Sequence, residues 1–430
     1  MRYAPINNKL FTDNRKNFRT KLKPKSIAIF NSNDIQPTNA DGTMPFRQNS
    51  DLFYLAGIDQ EETILVLFPD CPDKEHTEVL FIRETNELTA IWEGEKLSKE
   101  QATKNSGIKK VYWTHQFKQI LTGMIFEAEN IYINSNEHVR SGNETETRDE
   151  RFYKWCREKY PLHNYVRSAP IMYNLRATKS DLEVQLIQKA CNLTEKGFRR
   201  LLGFVKPGVM EYEIEAELAH EFIRHGAGFA GYQSIIAAAR NSCVLHYVAN
   251  DQQCKDGDIL LMDFAAGYAN YQSDLSRTLP VNGKFTKRQR NVYNAVLRVM
   301  KFATSRLVVG NNILDYHKEV GKMMEEELLK LRLLTKTQIK NQDPAWPAYK
   351  KYFMHGTSHF LGLDVHDVGS RYRKFEAGMV YTCEPGIYIL EENLGIRLEN
   401  DILITKKGPV DLMKNIPIEA DEIEALMRKK

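Results

Sequence analysis

Two aspartates lie on either side of a short polar loop in the largely apolar segment ILLMDFAAGYANYQSDLSRT. Apolar runs around Asp263 and Asp274, separated by Gly-Tyr-Ala-Asn, are typical of a β-hairpin. A turn centred between Tyr268 and Ala269 would place the two aspartates directly opposite each other, with Cβ atoms roughly 4.5–5.5 Å apart. A pair of solvated turn acids is the alternative, but the apolar neighbours oppose it because unpaired buried acids are costly. The pattern therefore predicts two carboxylates that grip a cation.

The same construction recurs in CEPGIYILEENLGIRLEND. Glu384 and Glu399 are symmetric about a polar loop centred between Glu391 and Glu392, so a second hairpin would again place two carboxylates on one face. Pro385 fits the start of a strand, where its missing N–H does least harm. The two hairpins together would supply four carboxylates.

Histidines are concentrated in the segment MHGTSHFLGLDVHD. His355 and His359 stand four residues apart, as the two zinc ligands do in a helical H-E-x-x-H site. Gly356 occupies the position of the glutamate, and Gly362 makes a regular helix poor here, so a strand or turn is predicted instead. Four carboxylates balance the charge of two divalent cations. Oxygen-rich ligation with one imidazole suits manganese, cobalt or zinc, and two such ions roughly 3.5–4 Å apart would activate water for hydrolysis.

The order of predicted elements indicates two domains, as 430 residues also suggest. Short apolar runs alternate with helix-like segments in the first part, which predicts a small α/β domain over residues 1–172. A long helix capped by Ser180 and Glu183 opens the second part. The mixed order of helices and strands there predicts an α+β domain over residues 173–430, with helices packed on one face of a curved, largely antiparallel sheet.

Charge and cysteine usage exclude several classes of protein. The 60 basic and 56 acidic residues are interspersed, so we expect neither a nucleic-acid partner nor a membrane partner. No apolar stretch resembles a transmembrane helix or a secretory signal. The six cysteines show no C-x-x-C pairing, which argues against a thiolate zinc site and a disulfide framework. We therefore expect reduced thiols and a cytoplasmic location.

With these motifs in view, the chain resembles the aminopeptidase P and prolidase group of the pita-bread metallopeptidases. LLMDFAAGYANYQSDLSRT, HGTSHFLGLDVHD, TCEPGIYI and GIRLENDI occur in the order and at the spacing of that family. The resemblance covers the region from about Leu175 onward. Upstream, PFRQNSDLFYLAGI and AIWEGEKL resemble the N-terminal domain of the aminopeptidase P branch. This implies a C-terminal pita-bread fold with a smaller N-terminal α/β domain.

The resemblance implies a set of five metal ligands. In the family's pattern Asp274 and Glu399 bridge two divalent ions, Asp263 completes one site, and His359 with Glu384 completes the other. Glu384 would also take a proton from the bridging water and pass it toward the leaving amine. Manganese is the expected metal, with zinc and cobalt as alternatives.

Further site residues follow from the same resemblance. His246 corresponds to a histidine near the scissile carbonyl. His366 corresponds to one that contacts the substrate and stabilises the tetrahedral intermediate, so each would donate a hydrogen bond to developing oxyanion charge. His355 is expected in the pocket beside the ligands, and a purely structural histidine is the alternative.

Three more residues match the family outside the ligand set. Tyr388 and Arg397 correspond to an outer pair, in which Arg397 would orient the carboxylate of Glu399, and an ordinary cross-strand pair is the alternative. The family's equivalent of Trp92 can reach the substrate cleft of a neighbouring subunit, although an ordinary packed tryptophan is as compatible with the sequence. A homo-oligomer, dimeric or tetrameric, is therefore expected.

The leading functional hypothesis is an Xaa-Pro aminopeptidase acting on peptides with proline in second position. Prolidase is the alternative within the same chemistry, and Ser358 favours the aminopeptidase because prolidase-like sequences more often carry glycine there. A methionine aminopeptidase is disfavoured by the large N-terminal domain. A metal-free peptide-binding module and a creatinase-like enzyme are disfavoured by the intact ligand set. Asn400 in place of an acid, and AAARNS in place of a glycine-rich run before Cys243, depart from the family pattern.

Overall fold

The computed structural model describes residues 3–142, 144–229 and 231–428. These residues form two compact units, one comprising Tyr3–Arg176 and the other beginning at Ala177. The sequence-based boundary between residues 172 and 173 lies inside the helix Ala169–Ala177 and stays a prediction.

The first unit is built on a six-stranded sheet with the strand order β4-β3-β2-β1-β5-β6. Its strands are β1 (Ser26–Asn31), β2 (Ile64–Leu67), β3 (Glu78–Ile82), β4 (Lys110–Trp113), β5 (Asn130–Ile133) and β6 (Asn164–Arg167). Its helices are α1 (Lys9–Arg19), α2 (Ser50–Ala56), α3 (Glu87–Trp92), α4 (Lys99–Ser106), α5 (Phe117–Ile125), α6 (Arg148–Lys159) and α7 (Ala169–Ala177). β2 is antiparallel to both of its neighbours, β1 and β3. The other three pairs, β3–β4, β1–β5 and β5–β6, are parallel.

Local sequence explains where these elements begin and end. Ser98 and Gln101 form a capping box at α4, and Gly107 ends that helix in the left-handed conformation, at φ 75°. Ile29, Val66 and Phe81 lie fully buried on three neighbouring strands and pack in one apolar core with α5. Burial of each such side chain stabilises the fold by about 1.5–3 kcal/mol. The predicted α/β domain is confirmed.

A buried polar cluster lies where β1 and β5 end. Asn31 donates a hydrogen bond of 2.8 Å to Oδ1 of Asp149, and Nδ2 of Asn134 lies 3.4 Å from Oδ2 of the same carboxylate. Oδ1 of Asn134 is buried without a hydrogen-bond partner. Burial raises the pKa of Asp149 to about 7, against the opposing effect of the Asn31 hydrogen bond. The cluster therefore favours a neutral group at position 149.

Asp149→Asn is expected to stabilise the protein above neutral pH. Because the folded-state pKa lies above the unfolded value near 4, the carboxyl supports folding below pH 4 and loses that support as the pH rises through 7. An asparagine does not titrate, and its amide can donate to Asn134 once that side chain flips. Calorimetry of the full chain should show a gain of a few kcal/mol at pH 8 that shrinks toward pH 5. The exposed Asp41→Asn is the control, and an equal gain at both pH values would contradict the assignment.

The second unit combines helices with short antiparallel sheets. Its helices are α8 (Asp181–Phe204), α9 (Glu211–Arg224), α10 (Lys287–Arg306), α11 (Ile313–Lys330), α12 (Lys336–Lys340) and α13 (Ala420–Arg428). Its strands are β7 (Gly228–Phe229), β8 (Ile235–Ala238), β9 (Ile259–Asp263), β10 (Ala266–Tyr268), β11 (Tyr271–Gln272), β12 (Ser276–Pro280), β13 (Val380–Cys383), β14 (Gly386–Ile389), β15 (Leu394–Arg397), β16 (Asn400–Thr405) and β17 (Gly408–Asp411). The strand order is β11-β10-β7, β12-β9-β8 and β13-β16-β17 in three sheets, and β14 pairs with β15. The ladders are antiparallel, as the sequence predicts, but they divide into several short sheets.

The first hairpin forms with a register different from the predicted one. Tyr268 pairs with Tyr271, so the turn consists of Ala269 and Asn270, both with positive φ (52° and 64°). Two left-handed residues are what a two-residue type I′ turn requires, and asparagine tolerates that conformation well. The prediction that Asp263 and Asp274 are directly opposed is therefore wrong: Asp263 pairs with Ser276. Asp274 is the diagonal neighbour two residues away, which leaves both acids on one face.

The second hairpin has the predicted register. Gly386 pairs with Arg397 in the β14–β15 ladder, and Cys383 pairs with Asn400 in the β13–β16 ladder. Glu384 and Glu399 lie opposite each other between these two ladders, where Pro385 interrupts the pairing.

The HGTSH segment is not helical, as predicted. The carbonyl of His359 accepts a hydrogen bond of 3.0 Å from Thr382 N, and the carbonyl of Thr357 accepts one of 2.8 Å from Glu384 N. The segment therefore runs beside β13 and brings His359 next to Glu384. Among the described residues, no helix has the combination of length and apolar character needed to cross a bilayer.

Candidate metal centre

The centre of the second unit contains a compact group of metal-ligating side chains. Asp274, His359 and Glu399 each offer one ligand atom, and these atoms all lie within 4.8 Å of one another. Asp274 and Glu399 are 5% and 2% exposed, respectively. Three potential ligands thus converge from separate parts of the chain. Asp274 lies in the first hairpin, His359 in the HGTSH segment, and Glu399 directly before β16.

The two other predicted ligands adjoin this group. Nε2 of His359 lies 3.4 Å from Oδ2 of Asp274 and 3.6 Å from Oε1 of Glu384. The hydroxyl of Tyr232 lies 2.8 Å from Oδ1 of Asp263 and 2.7 Å from Oδ1 of Asp274, so one phenol spans both aspartates. The structure therefore brings together all five residues that the resemblance implies as ligands.

The acids of this group are buried close to one another, which disfavours their charged forms. Burial and the neighbouring carboxylates raise the pKa of Glu384 to about 7 and that of Glu399 well above its usual range. Burial also raises the pKa of Asp263, although Arg397 opposes the shift. Burial alone would lower the pKa of His359, but its hydrogen bond to Asp274 and the charge of Glu384 raise it to about 9. Positive charge placed among these acids would therefore stabilise their ionised forms.

This donor set fits a pair of divalent cations. Four carboxylates match the charge of two such ions, and oxygen donors with one imidazole are suited to manganese, cobalt or zinc. Nδ1 of His359 is 2.9 Å from the carbonyl of Phe360, to which it donates, so Nε2 is the nitrogen that faces the acids. A hydrogen bond from the nitrogen that does not face the metal fixes the tautomer of a ligating histidine.

Arg397 supplies the positive charge behind the acids. Its Nη2 lies 2.7 Å from Oδ2 of Asp263, and its side chain is 5% exposed. Nε donates over 2.7 Å to the hydroxyl of Ser276, which itself donates over 2.7 Å to Oε2 of Glu399. Arg397 therefore holds Asp263 directly and is linked to Glu399 through Ser276, whereas the resemblance implies a role in orienting Glu399.

Tyr388 connects Arg397 to His355. The tyrosine hydroxyl accepts from Nη1 of Arg397 over 3.0 Å and lies 2.8 Å from Nε2 of His355. Nδ1 of His355 donates to the carbonyl of Gly356 over 2.8 Å, which leaves Nε2 as the acceptor. Burial, followed by the charge of Arg397, lowers the pKa of His355 to about 3. His355 is therefore a neutral histidine beside the acids.

The other two histidines predicted in the site lie on different loops. The ring of His366 is 4.4 Å from that of His359, centroid to centroid, in an edge-to-face arrangement at 77°. His246 is exposed and follows a 3₁₀ turn, Ala239–Cys243. Its neighbours Leu245 and Tyr247 pack against the apolar cluster that contains Tyr388. The loop of His246 thus lies beside Tyr388.

Sequence reasoning missed two residues of this centre, Tyr232 and Ser276. Tyr232 lies ahead of β8, and the pairing of Ile235 with Asp263 places β8 beside β9. The only local signal was the strand-like pattern of β8 itself. Ser276 pairs with Asp263, so the corrected register of the first hairpin would have found it.

Trp92 lies in the first unit and is 82% exposed. Leu88 and Ile91 on the same short helix, α3, are 68% and 76% exposed. An ordinary buried tryptophan is therefore not what this position holds.

Comparisons with known proteins identify the family. The family model described as "Metallopeptidase family M24" matches residues 185–406, which include the five predicted ligands. The model of "Aminopeptidase P, N-terminal domain" matches residues 11–132. The chain belongs to the M24 metallopeptidases.

Individual relatives extend the similarity over the full length. The chain is 33% identical to an Xaa-Pro aminopeptidase of Escherichia coli, over 99% of this chain and 98% of the relative. It is 28% identical to Xaa-Pro aminopeptidase 3 of Homo sapiens, over 99% of this chain and 85% of the relative. Zinc-substituted Escherichia coli aminopeptidase P in complex with product superimposes with a TM-score of 0.88 at 32% identity, over 99% of both chains.

The family settles several expectations. The predicted resemblance to aminopeptidase P is confirmed, and so is the pita-bread fold with its N-terminal domain. The chain is a metallopeptidase, and its family implies divalent metal ions.

Proposed function

We propose that this chain hydrolyses the peptide bond between an N-terminal residue and a following proline. The observation that carries the proposal is the convergence of four carboxylates and His359 in one buried group. Full-length similarity to Xaa-Pro aminopeptidases supports the substrate class.

Two divalent cations, manganese in our proposal, would be held by the five ligands. Asp274, His359 and Glu399 offer ligand atoms within 4.8 Å of one another. In the arrangement that the family resemblance implies, Asp274 and Glu399 would be shared by both ions, Asp263 would complete one site, and Glu384 with His359 the other. When bound, the ions acidify a water molecule and polarise the scissile carbonyl.

The chain's own groups then move protons and position the peptide. Glu384 is the base and acid of the proposal, because its carboxylate lies beside the proposed metal site, 3.6 Å from Nε2 of His359. His246 and His366 would donate hydrogen bonds to the substrate, where negative charge develops on oxygen. His355 and Tyr388 would line the pocket, and Arg397 would hold Asp263 in place through its 2.7 Å contact.

Prolidase activity remains the competing proposal within this chemistry. Ser358, which favoured the aminopeptidase, donates over 2.9 Å to the hydroxyl of Tyr316 and is only 8% exposed. A serine rather than a glycine at position 358 therefore affects how the HGTSH segment packs against Tyr316. Only a comparison of substrates separates the two activities.

Location and assembly are also part of the proposal. All six cysteines are free thiols, which supports a reducing compartment such as the cytoplasm. A dimer or tetramer is expected from the family resemblance, and the exposed apolar residues of α3 are compatible with a contact between subunits.

Mass-spectrometric product analysis tests the proposed function. The manganese-reconstituted protein is offered an Xaa-Pro-Xaa tripeptide, an Xaa-Pro dipeptide and a tripeptide without proline. Release of the first residue from the proline tripeptide alone is the expected result, and chelated protein is the control. Cleavage confined to the dipeptide would identify a prolidase. With bound metal verified, failure to cleave any of the three would point to a peptide-binding module instead.

A further inference from the structure

The segment that carries His366 closes on itself directly after His359. Asp367 N donates to the carbonyl of Phe360 over 2.9 Å, which forms a loop from Leu361 to Val365 before the histidine. Gln272 N donates to the carbonyl of Gly362 over 2.8 Å, which ties the loop to the first hairpin. These main-chain bonds fix the base of the loop.

A buried ion pair lies under the same loop. Nζ of Lys179 is 3.1 Å from Oδ2 of Asp367, and both side chains are 1% exposed. Lys179 precedes Asp367 by 188 residues and stands directly before Ser180, the cap of α8. Its own N–H donates over 2.8 Å to the carbonyl of Gly378, so its backbone is anchored separately.

The loop backbone at Gly362 packs closely against the ion pair and leaves no room for a larger residue. A Cβ at Gly362 would lie 2.1 Å from Oδ2 of Asp367 and 2.9 Å from Cε of Lys179. The loop backbone thus rests directly on both partners of the ion pair. A change in the position of the Asp367 carboxylate would therefore act on the loop backbone at Gly362, and Asp367 directly follows His366 in the same loop.

A contribution to stability alone does not explain why this position holds a buried ion pair. Buried ion pairs often contribute no more to stability than apolar side chains of the same size, because desolvation offsets their attraction. This pair, however, adjoins His366, whose ring packs edge-to-face on that of His359 at 4.4 Å.

We infer that Lys179 is a positioning residue: through its ion pair with Asp367 it holds the imidazole of His366 against His359 in the reactive geometry. The inference rests on the proposed function, in which His366 meets the substrate. Because a misplacement of about 1 Å can lower a rate by about 10²-fold, removal of this support should reduce kcat without removing a ligand.

The kinetic test is a double-mutant cycle with His366 in the full-length, manganese-reconstituted protein. Lys179→Met is expected to lower kcat by about 10–100-fold on the proline tripeptide, at unchanged metal content. In the His366→Ala background the same change should alter kcat by less than about threefold. Lys196→Met, an exposed lysine-to-methionine change on α8, should leave kcat unchanged. Equal loss in both backgrounds would overturn the inference.

A second variant separates positioning from folding. Lys179→Met/Asp367→Leu removes both charges, so its Tm should return toward the wild-type value while kcat stays low. Recovery of kcat together with Tm would show that the pair serves stability only, and this outcome would also overturn the inference.

A readout that does not need activity keeps the inference separate from the proposed function. In the zinc-loaded protein with ¹⁵N-labelled histidine, the imidazole signals of His366, identified by their loss in His366→Ala, should shift in Lys179→Met and not in Lys196→Met. Unshifted signals would overturn the positioning role. If the wild-type protein cleaves no peptide while Lys179→Met still shifts the His366 signals, only the proposed function is contradicted.

Discussion

Replacing Glu384 with alanine is expected to lower kcat on the proline tripeptide by about 10³-fold or more. Glu384 lies 3.6 Å from Nε2 of His359, within the buried group of acids, so the change removes both a proposed ligand and the proposed proton-transfer group. Its carboxylate lies at the base of the second hairpin and outside the apolar core clusters, so the fold should survive. The measurement is single-turnover hydrolysis with metal content determined in parallel.

Glu391→Ala is the matched control for this prediction. It makes the same substitution at the exposed tip of the same hairpin, where Glu391 lies 3.6 Å from Lys351. The control should retain wild-type kcat. If Glu384→Ala kept more than about a tenth of the activity after manganese was restored, the assigned role would be wrong.

Arg397→Met is expected to destabilise the chelated protein by about 3–5 kcal/mol. The guanidinium is 5% exposed and bonds to Asp263, Ser276 and Tyr388, so its removal leaves buried acids without their counter-charge. Metal loading should reduce the loss, because the cations neutralise the same carboxylates. Denaturant unfolding with and without manganese measures both effects.

Arg288→Met provides the comparison on the surface. Arg288 bonds to Glu392 over 2.7 Å at the tip of the same hairpin, but its side chain is 37% exposed. An exposed pair of this kind contributes at most about 1 kcal/mol. Equal destabilisation by the two substitutions would mean that burial of the Arg397 charge does not set its contribution.

The local sequence predicts much of this fold, because helix caps and hairpin turns depend on residues that are close together in the chain. The capping box of Ser180 and Glu183 marks the start of α8, and the symmetry of Glu384 and Glu399 matches the observed register of the second hairpin. The first hairpin shows where such reasoning fails. The turn forms at Ala269 and Asn270, because backbone conformation rather than the symmetry of two acids sets the register.

The resemblance to aminopeptidase P also named the five candidate ligands in advance. Their assembly could not follow from spacing, since each hairpin lies far from the other along the chain. Ser276, for example, donates to Glu399 across 123 positions. Contacts of that kind depend on how separate elements pack.

Residue types and spacing alone determine the existence of the two hairpins, the capped start of α8 and an excess of buried acid that divalent cations would neutralise. Only the packed chain decides which groups hold those acids in place: Tyr232 between two aspartates, Arg397 on Asp263, and Lys179 under the loop of His366. The physical reason is that turns and caps are short-range properties of neighbouring residues. A buried charge is matched instead by whichever distant side chain the completed fold carries into the same low-dielectric space.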